Sequence, residues 1–88
     1  MTKYTVTLYT TSDSPYGKEE KAWLTSQNIP FAECLVDDDE EKQTEMITKS
    51  GQMSVPVTII SDETTEQIVV GFDKDELARL LGADDIMR

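Results

Sequence analysis

Four consecutive residues, Ser14-Pro15-Tyr16-Gly17, occupy the place where this chain could do chemistry. They follow a segment that alternates like a β-strand, and they open a segment with the pattern of a helix. In a small αβ protein, a Cys-x-x-Cys pair at this place carries out thiol–disulfide exchange, because a helix N-terminus lowers the pKa of a thiol. Here the two outer positions hold Ser14 and Gly17. The placement indicates redox chemistry, but both thiols are missing.

The rest of the composition removes other kinds of chemistry. The chain has one cysteine, Cys34, and no histidine. It therefore cannot form an internal disulfide, a Ser-His pair or a Cys-His pair. Zinc sites normally draw on these two residue types, so we expect no metal site. Cys34 falls within a predicted strand, and we interpret it as a small packed apolar residue rather than a reactive thiol.

Length and charge limit the domain organisation and the partners. The 88 residues are enough for one domain, which we assign to residues 1–82, with residues 83–88 as a tail. The net charge of −10 disfavours nucleic acids and anionic membranes as partners. No apolar run is long enough to cross a bilayer, and the N-terminus lacks the apolar core of a signal peptide. We expect a cytoplasmic monomer.

The apolar periodicity and the turn residues predict seven elements in the order β-α-β-α-β-β-α. Strands are predicted at 4–10, 31–36, 55–60 and 67–70. Helices are predicted at 14–28 and 40–50, and a third from Asp73 to Gly82. This order predicts a mixed four-stranded sheet with helices on both faces, which is the layout of the thioredoxin fold.

Side-chain roles follow from the same patterns. Trp23 and Leu24 are predicted to anchor the first helix in the core, and Glu20 is interpreted as an early-turn acid that favours the helix dipole. Asp37 or Asp38 is expected to cap the second helix. Asp73 and Glu76 are expected to form a capping box at the start of the third helix. Gly51 is expected to end the second helix.

Three stretches of the chain resemble the glutaredoxin family. Residues 8–18 are similar to the family's strand, loop and Cys-Pro-Tyr-Cys, apart from the two cysteines. Residues 51–57 are similar to its Val-Pro stretch, which contains a cis-proline. Residues 70–77 are similar to the Gly-Phe-Asp ending of small bacterial and archaeal glutaredoxin-like proteins. With the element order, the resemblance covers nearly the whole chain and implies the thioredoxin fold and a family role in thiol–disulfide exchange.

The resemblance also implies roles for individual residues. Ser14 stands at the position of the nucleophilic thiol and Gly17 at that of the resolving thiol. Pro56 is implied to be cis, and the Val55 backbone to pair with a bound peptide or glutathione. The other groove residues that the resemblance implies are Tyr16, Gly71, Phe72 and Asp73.

The family's partners are implied in the same way. They are disulfide-containing proteins, with glutathione as a possible co-substrate and glutathione or thioredoxin reductase as the electron donor. The residues of this chain themselves call for no cofactor. Thr11 stands where glutathione-using members often have a lysine that meets a glutathione carboxylate, so we expect glutathione to bind weakly.

Three interpretations follow from the missing thiols. In the first, the chain is a disulfide oxidoreductase whose cysteines were replaced, since Ser14 is the isosteric substitute for cysteine. In the second, it is a natural non-catalytic module that binds peptides in the groove beside Pro56, and the non-isosteric Gly17 favours this. A third, hydrolysis by Ser14, lacks a general base. Under the first two interpretations we expect no disulfide reductase activity from the chain as written.

Overall fold

A computed structural model describes residues 4–81 and shows seven elements in the predicted order. They are β1 (Thr5–Thr10), α1 (Pro15–Ser26), β2 (Ala32–Leu35), α2 (Glu40–Ser50), β3 (Val57–Ser61), β4 (Glu66–Val70) and α3 (Lys74–Leu81). Among the helices of these residues, none combines the length and the hydropathy that crossing a membrane needs. The predicted end of α3 at Gly82 and the predicted tail lie outside the described residues.

The four strands form one mixed sheet in the order β2-β1-β3-β4. β1 is parallel to β2 and antiparallel to β3, and β3 is antiparallel to β4. The predicted mixed sheet is confirmed, with β1 and β2 in a parallel β-α-β unit and β3 and β4 in an antiparallel hairpin. β3 starts two residues later than predicted, because Pro56 has no N–H to give to a ladder. It also continues one residue beyond the predicted end, to Ser61, which pairs with Glu66.

Two hydrophobic cores lie on opposite faces of the sheet, because successive side chains of a strand point to opposite sides. We call them the α1/α3 core and the α2 core. Cys34 packs against the α2 core, and its burial raises the pKa of the thiol, as expected for an inert packed cysteine. Trp23 packs at the edge of the other core and is half-buried, whereas Leu24 is fully buried. The α1/α3 core consists of Val6, Leu24, Ile60, Val69, Leu77 and Leu81, and the α2 core of Tyr9, Val36, Met46, Val57 and Ile59.

The cap of α2 differs from the prediction. Asp39, and neither Asp37 nor Asp38, caps the helix by accepting hydrogen bonds from the N–H groups of Glu41 and Lys42 at 3.0 and 3.3 Å. Asp37 is occupied elsewhere, since its carboxylate accepts from the Ser12 hydroxyl at 2.8 Å. This bond ties Asp37, the first of the five consecutive acids at 37–41, to the loop that precedes α1.

The other two predicted helix ends are confirmed. Gly51 ends α2 in the left-handed region, with its N–H bonded to the carbonyl of Ile47 at 2.8 Å. Asp73 caps α3 by accepting from the N–H of Glu76 at 3.2 Å. The reciprocal half of the predicted capping box is missing, because the Glu76 carboxylate pairs with Arg79 at 2.6 Å instead.

Glu20 is a clear departure from the sequence prediction. Its side chain is fully buried, on the stripe of α1 that also contains Gly17 and Leu24. The hydroxyl of Thr58, on β3, donates a hydrogen bond to Glu20 Oε2, while Oε1 has no partner among residues 4–81. Burial raises the pKa of Glu20 to about 7, and the bond from Thr58 opposes this only in part. The apolar pattern did not predict that this stripe faces the core, because Leu24 is its only hydrophobic residue.

The buried carboxyl predicts that the protein loses stability as the pH rises. The pKa of Glu20 is about 7 in the folded protein against an ordinary value of 4.5, so the unfolded state ionises first. The favourable contribution is complete below pH 4.5, declines as the pH rises through 7, and is absent above that. The loss should be on the order of 3 kcal/mol in the free energy of unfolding.

Chemical denaturation between pH 4.5 and 8 measures this loss. The Glu20→Gln variant should flatten the curve, because the amide does not ionise. Glu19→Gln is the matched control, since Glu19 is exposed and adjacent in the helix. It removes the same formal charge and should keep the slope of the parent protein. Equal slopes for Glu20→Gln and Glu19→Gln would contradict the assignment.

Candidate functional site

Ser14 forms the start of α1, as predicted. Its backbone is extended (φ −72°, ψ 118°), and its Oγ accepts a hydrogen bond from the N–H of Gly17 at 3.1 Å. Pro15 follows at the start of the helix, where its fixed φ and missing N–H cost nothing. The Ser14 side chain is buried, 7% exposed, so the hydroxyl is committed to the helix end. A cap of this kind contributes about 1 kcal/mol to stability.

The surroundings of Ser14 do not activate it as a nucleophile. A serine hydroxyl needs a neighbouring base, and the chain has no histidine. Within residues 4–81 no carboxylate forms a hydrogen bond with Ser14 Oγ. In the same part of the chain, no three His, Cys, Asp or Glu side chains are grouped in a way that could hold a metal ion.

Gly17 lies against Thr10, the last residue of β1. A Cβ at position 17 would lie 2.0 Å from Thr10 Oγ1 and 3.0 Å from Thr10 Cβ. Thr10 is 1% exposed, so its side chain has little room to move away. The first turn of α1 is therefore closer to the sheet than a side chain at position 17 would permit. Thr10 therefore fills the space that a thiol side chain at position 17 would need.

The groove side of the site is built by two loops that are bonded together. The Val55–Pro56 peptide bond is cis, and Pro56 is buried while Val55 is half-buried. The N–H of Gly71 donates to the carbonyl of Pro56 at 2.7 Å. Gly71 has φ +80°, in the left-handed region that favours glycine. This bond holds the loop after β4 against the loop before β3.

The strand register brings the two halves of the site to the same end of the sheet. Tyr9 pairs with Val57, and Val57 pairs with Val70. One residue further along each strand, Thr10, Pro56 and Gly71 lie side by side. Thr10 contacts Gly17 from this row. The sheet end therefore aligns the start of α1 with the groove loops, although no hydrogen bond within residues 4–81 joins Ser14 to Pro56 or Gly71.

The remaining predicted site residues differ in how far they are available. Tyr16 is 63% exposed, and so is free to meet a partner. Phe72 is half-buried and packs against Trp23, with ring centroids 6.4 Å apart. Asp73 is exposed, but its carboxylate caps α3. The structure adds Met53, 72% exposed and two residues before Val55, which sequence reasoning missed.

Three further residues that shape the site were also missed. Thr10 and Thr58 occupy inward positions of β1 and β3, where a polar residue in an apolar alternation was the available signal. Asp37 was interpreted as a cap, although its carboxylate holds Ser12 in the loop before α1. Only the folded chain shows which groups these three side chains meet.

The contact at position 17 predicts that alanine there destabilises the protein. Replacing glycine by alanine within a helix usually gains up to about 1 kcal/mol. Adding a methyl group to a filled space typically costs 1–3 kcal/mol, and the 2.0 Å approach to Thr10 makes that cost dominant here. Gly17→Ala should therefore lower the midpoint of urea unfolding, and Gly17→Cys should do the same.

A double-mutant cycle with Thr10→Ala separates this contact from helix propensity. In the Thr10→Ala background the cost of Gly17→Ala should shrink by on the order of 1 kcal/mol or more, because the two residues share one space. Additive effects in the cycle would show that the contact does not limit position 17.

Comparisons with known proteins agree with this geometry. The glutaredoxin family model matches residues 6–64. The chain is 37% identical over 76 residues to a glutaredoxin-like 8.6 kDa protein in the rubredoxin operon of Clostridium pasteurianum, which covers 86% of this chain and 96% of that protein. It is 38% identical over 55 residues to glutaredoxin 3 of Escherichia coli strain K12, covering 62% of this chain and 66% of that one.

A solved structure gives the same answer for the fold. The glutaredoxin from Methanosarcina mazei Go1 superposes with a TM-score of 0.75 at 31% identity, covering 89% of this chain and 78% of that one. The family match spans more than half of the chain. The order of strands and helices is that of the thioredoxin fold. The chain therefore belongs to the glutaredoxin family, which is a family of redox function.

Proposed function

We propose that this chain is a glutaredoxin-like protein without thiol–disulfide exchange of its own, and that it binds an extended peptide segment in the groove beside Pro56. The observation that supports this is a contrast within one site. The thiol positions hold Ser14 and Gly17, whereas the two groove loops are joined by the hydrogen bond from the N–H of Gly71 to the carbonyl of Pro56. The surface that could bind a peptide is therefore present, whereas the thiols that disulfide exchange requires are absent from positions 14 and 17.

The loss of exchange follows from what a mixed disulfide requires. A thiolate attacks a disulfide sulfur, the new S–S bond forms, and the other sulfur leaves as a thiolate. Ser14 offers only an oxygen, which accepts the N–H of Gly17. Cys34 packs against the α2 core on the opposite face of the sheet, where burial raises the pKa of its thiol. Neither residue supplies a thiolate at the site.

The groove supports binding through its backbone. The β3 ladder begins at Val57, so Val55 precedes the paired residues of that strand. In the family this position pairs with an extended substrate, and added strands gain affinity from such main-chain bonds. Tyr16 and Met53 add exposed apolar surface of the kind that anchors a partner.

The partner class follows from the family and from the charge. We propose that the bound segments come from proteins with disulfide or modified cysteine residues, and that glutathione binds weakly. Thr11 brings no positive charge, and the net charge of −10 repels the glutathione carboxylates. No cofactor is needed. Glutathione or thioredoxin reductase would serve as a donor only if a thiol returned at position 14.

An activity assay tests the first half of the proposal. The Cys34→Ser protein should reduce hydroxyethyl disulfide no faster than the uncatalysed reaction, with either glutathione and glutathione reductase or thioredoxin reductase supplied. With oxidised glutathione, the Cys34→Ser, Ser14→Cys protein should form a mixed disulfide and release one reduced glutathione, because the helix N-terminus lowers the pKa of a thiol there. Turnover by the variant that keeps Ser14 would refute the proposed loss.

An NMR titration tests the second half independently of any chemistry. A blocked peptide centred on S-methylcysteine should shift the backbone amide signals of Val55 and Gly71. Tyr16→Ala should weaken its binding several-fold, with little effect on folding because the ring is 63% exposed. Thr25→Ala, exposed near the other end of α1, is the matched control. Unchanged signals at Val55 and Gly71 would refute groove binding, whatever the activity assay shows.

A further inference from the structure

The outer edge of β4 is a second surface with unpaired backbone. β4 is the last strand in the sheet order, and within residues 4–81 its only strand partner is β3. An edge strand presents a row of N–H and C=O groups on which another chain can pair.

The hydrogen bonds at the two ends of the hairpin show which residues of β4 direct their backbone groups outward. At one end the N–H of Asp62 donates to the carbonyl of Thr65 at 2.9 Å, and at the other the N–H of Gly71 donates to Pro56 at 2.7 Å. In an antiparallel pair, every second residue bonds to the neighbouring strand. Residues 65, 67, 69 and 71 therefore face β3. The backbone groups of Glu66, Ile68 and Val70 point away from the sheet.

The same residues expose apolar side chains. Ile68 is 39% and Val70 is 46% exposed, whereas Val69 between them is buried in the α1/α3 core. Outward backbone groups and exposed apolar side chains thus coincide along one strand. Natural edges are usually protected by charged side chains, proline or a bulge. In β4, Glu-Gln-Ile-Val-Val, the only charged residue is Glu66 at its start, and the strand contains no proline.

The charge around this edge determines what can bind there. Residues 61–75 include five acidic residues and a single basic one, Lys74. Lys49 of α2 reaches Glu66 at 2.8 Å and neutralises only that carboxylate. A second copy of the chain would bring another net charge of −10 to the same surface. A segment with lysine or arginine between its apolar residues is attracted instead. The five acids are Asp62, Glu63, Glu66, Asp73 and Asp75.

We propose that the outer edge of β4 takes up an extended basic segment of a partner protein as a fifth strand of the sheet. The backbone groups of Glu66, Ile68 and Val70 give the main-chain bonds, and the side chains of Ile68 and Val70 give the apolar contact. This surface runs along the length of β4, whereas the groove beside Pro56 lies at the end of β3. The two sites do not depend on each other.

Amide hydrogen exchange, read by NMR residue by residue, tests the proposal. The probe is a blocked eight-residue peptide that alternates valine and lysine, compared with the same peptide carrying glutamate in place of lysine. The basic peptide should slow exchange at Glu66, Ile68 and Val70 by about tenfold or more. Gln67 and Val69 already bond to β3 and should change little. The acidic peptide should have no effect.

Two variants locate the binding on the edge. Ile68→Pro removes an outward N–H without breaking a bond to β3, a position that edge strands tolerate. The double variant Ile68→Thr, Val70→Thr keeps β-branched side chains while removing apolar contact, and it serves if the proline variant does not fold. Either should weaken the basic peptide by about tenfold. Tyr16→Ala, in the other site, should leave its affinity unchanged.

Three results would overturn the proposal. One is slowed exchange with both peptides or with neither. A second is a response confined to the acidic stretch 37–41, which would mean charge attraction alone. The third is exchange at Ile68 that becomes slower as the protein concentration is raised with no peptide present. This would identify a second copy of the chain as the occupant.

Discussion

The contact between the first turn of α1 and the end of β1 determines the geometry of the site. Gly17 allows the helix to lie directly on Thr10, which shares one row with Pro56 and Gly71 across the end of the sheet. The position of Ser14 follows from this contact through the helix, and the loop before it is held from the other side by Asp37. The missing side chain at position 17 thus permits the close approach of the helix to the sheet.

The two faces of the sheet differ in chemical character. The α2 core is formed by apolar side chains and the ring of Tyr9. Beneath α1, by contrast, Thr10, Glu20 and Thr58 are all buried, so the core becomes polar close to the site. A carboxyl group in this position is tolerated best with its proton, which explains why burial raises the pKa of Glu20. The unfavourable burial of this carboxyl occurs beneath α1, the helix whose N-terminus forms the site.

Sequence reasoning reached the fold but only part of the site. α2 was predicted with the bounds that the structure shows, because a run of acids at its start, an apolar pair within it and a glycine after it all agree there. The inward face of α1 was predicted only in part. Leu24 is buried as predicted, but Gly17 and Glu20 on the same face interrupt any apolar period. The cap at Asp39 was missed because several acids in a row fit a cap equally well. The cis bond before Pro56 agrees with what the family resemblance implied. The space that Gly17 shares with Thr10 depends on two separate elements of the chain, so no local pattern predicts it.

The pairing of β1 has a consequence for the order in which this chain folds. β3 and β4 pair across a short turn, whereas Thr5 of β1 pairs with Ser61 of β3. Closing so long a loop costs chain entropy before any contact repays it, and such distant pairings slow folding. On a ribosome, β1 emerges first but gains its antiparallel partner only after residue 61 has been made. Until then, Val6 and Leu8 cannot reach the buried positions that they hold in the folded sheet.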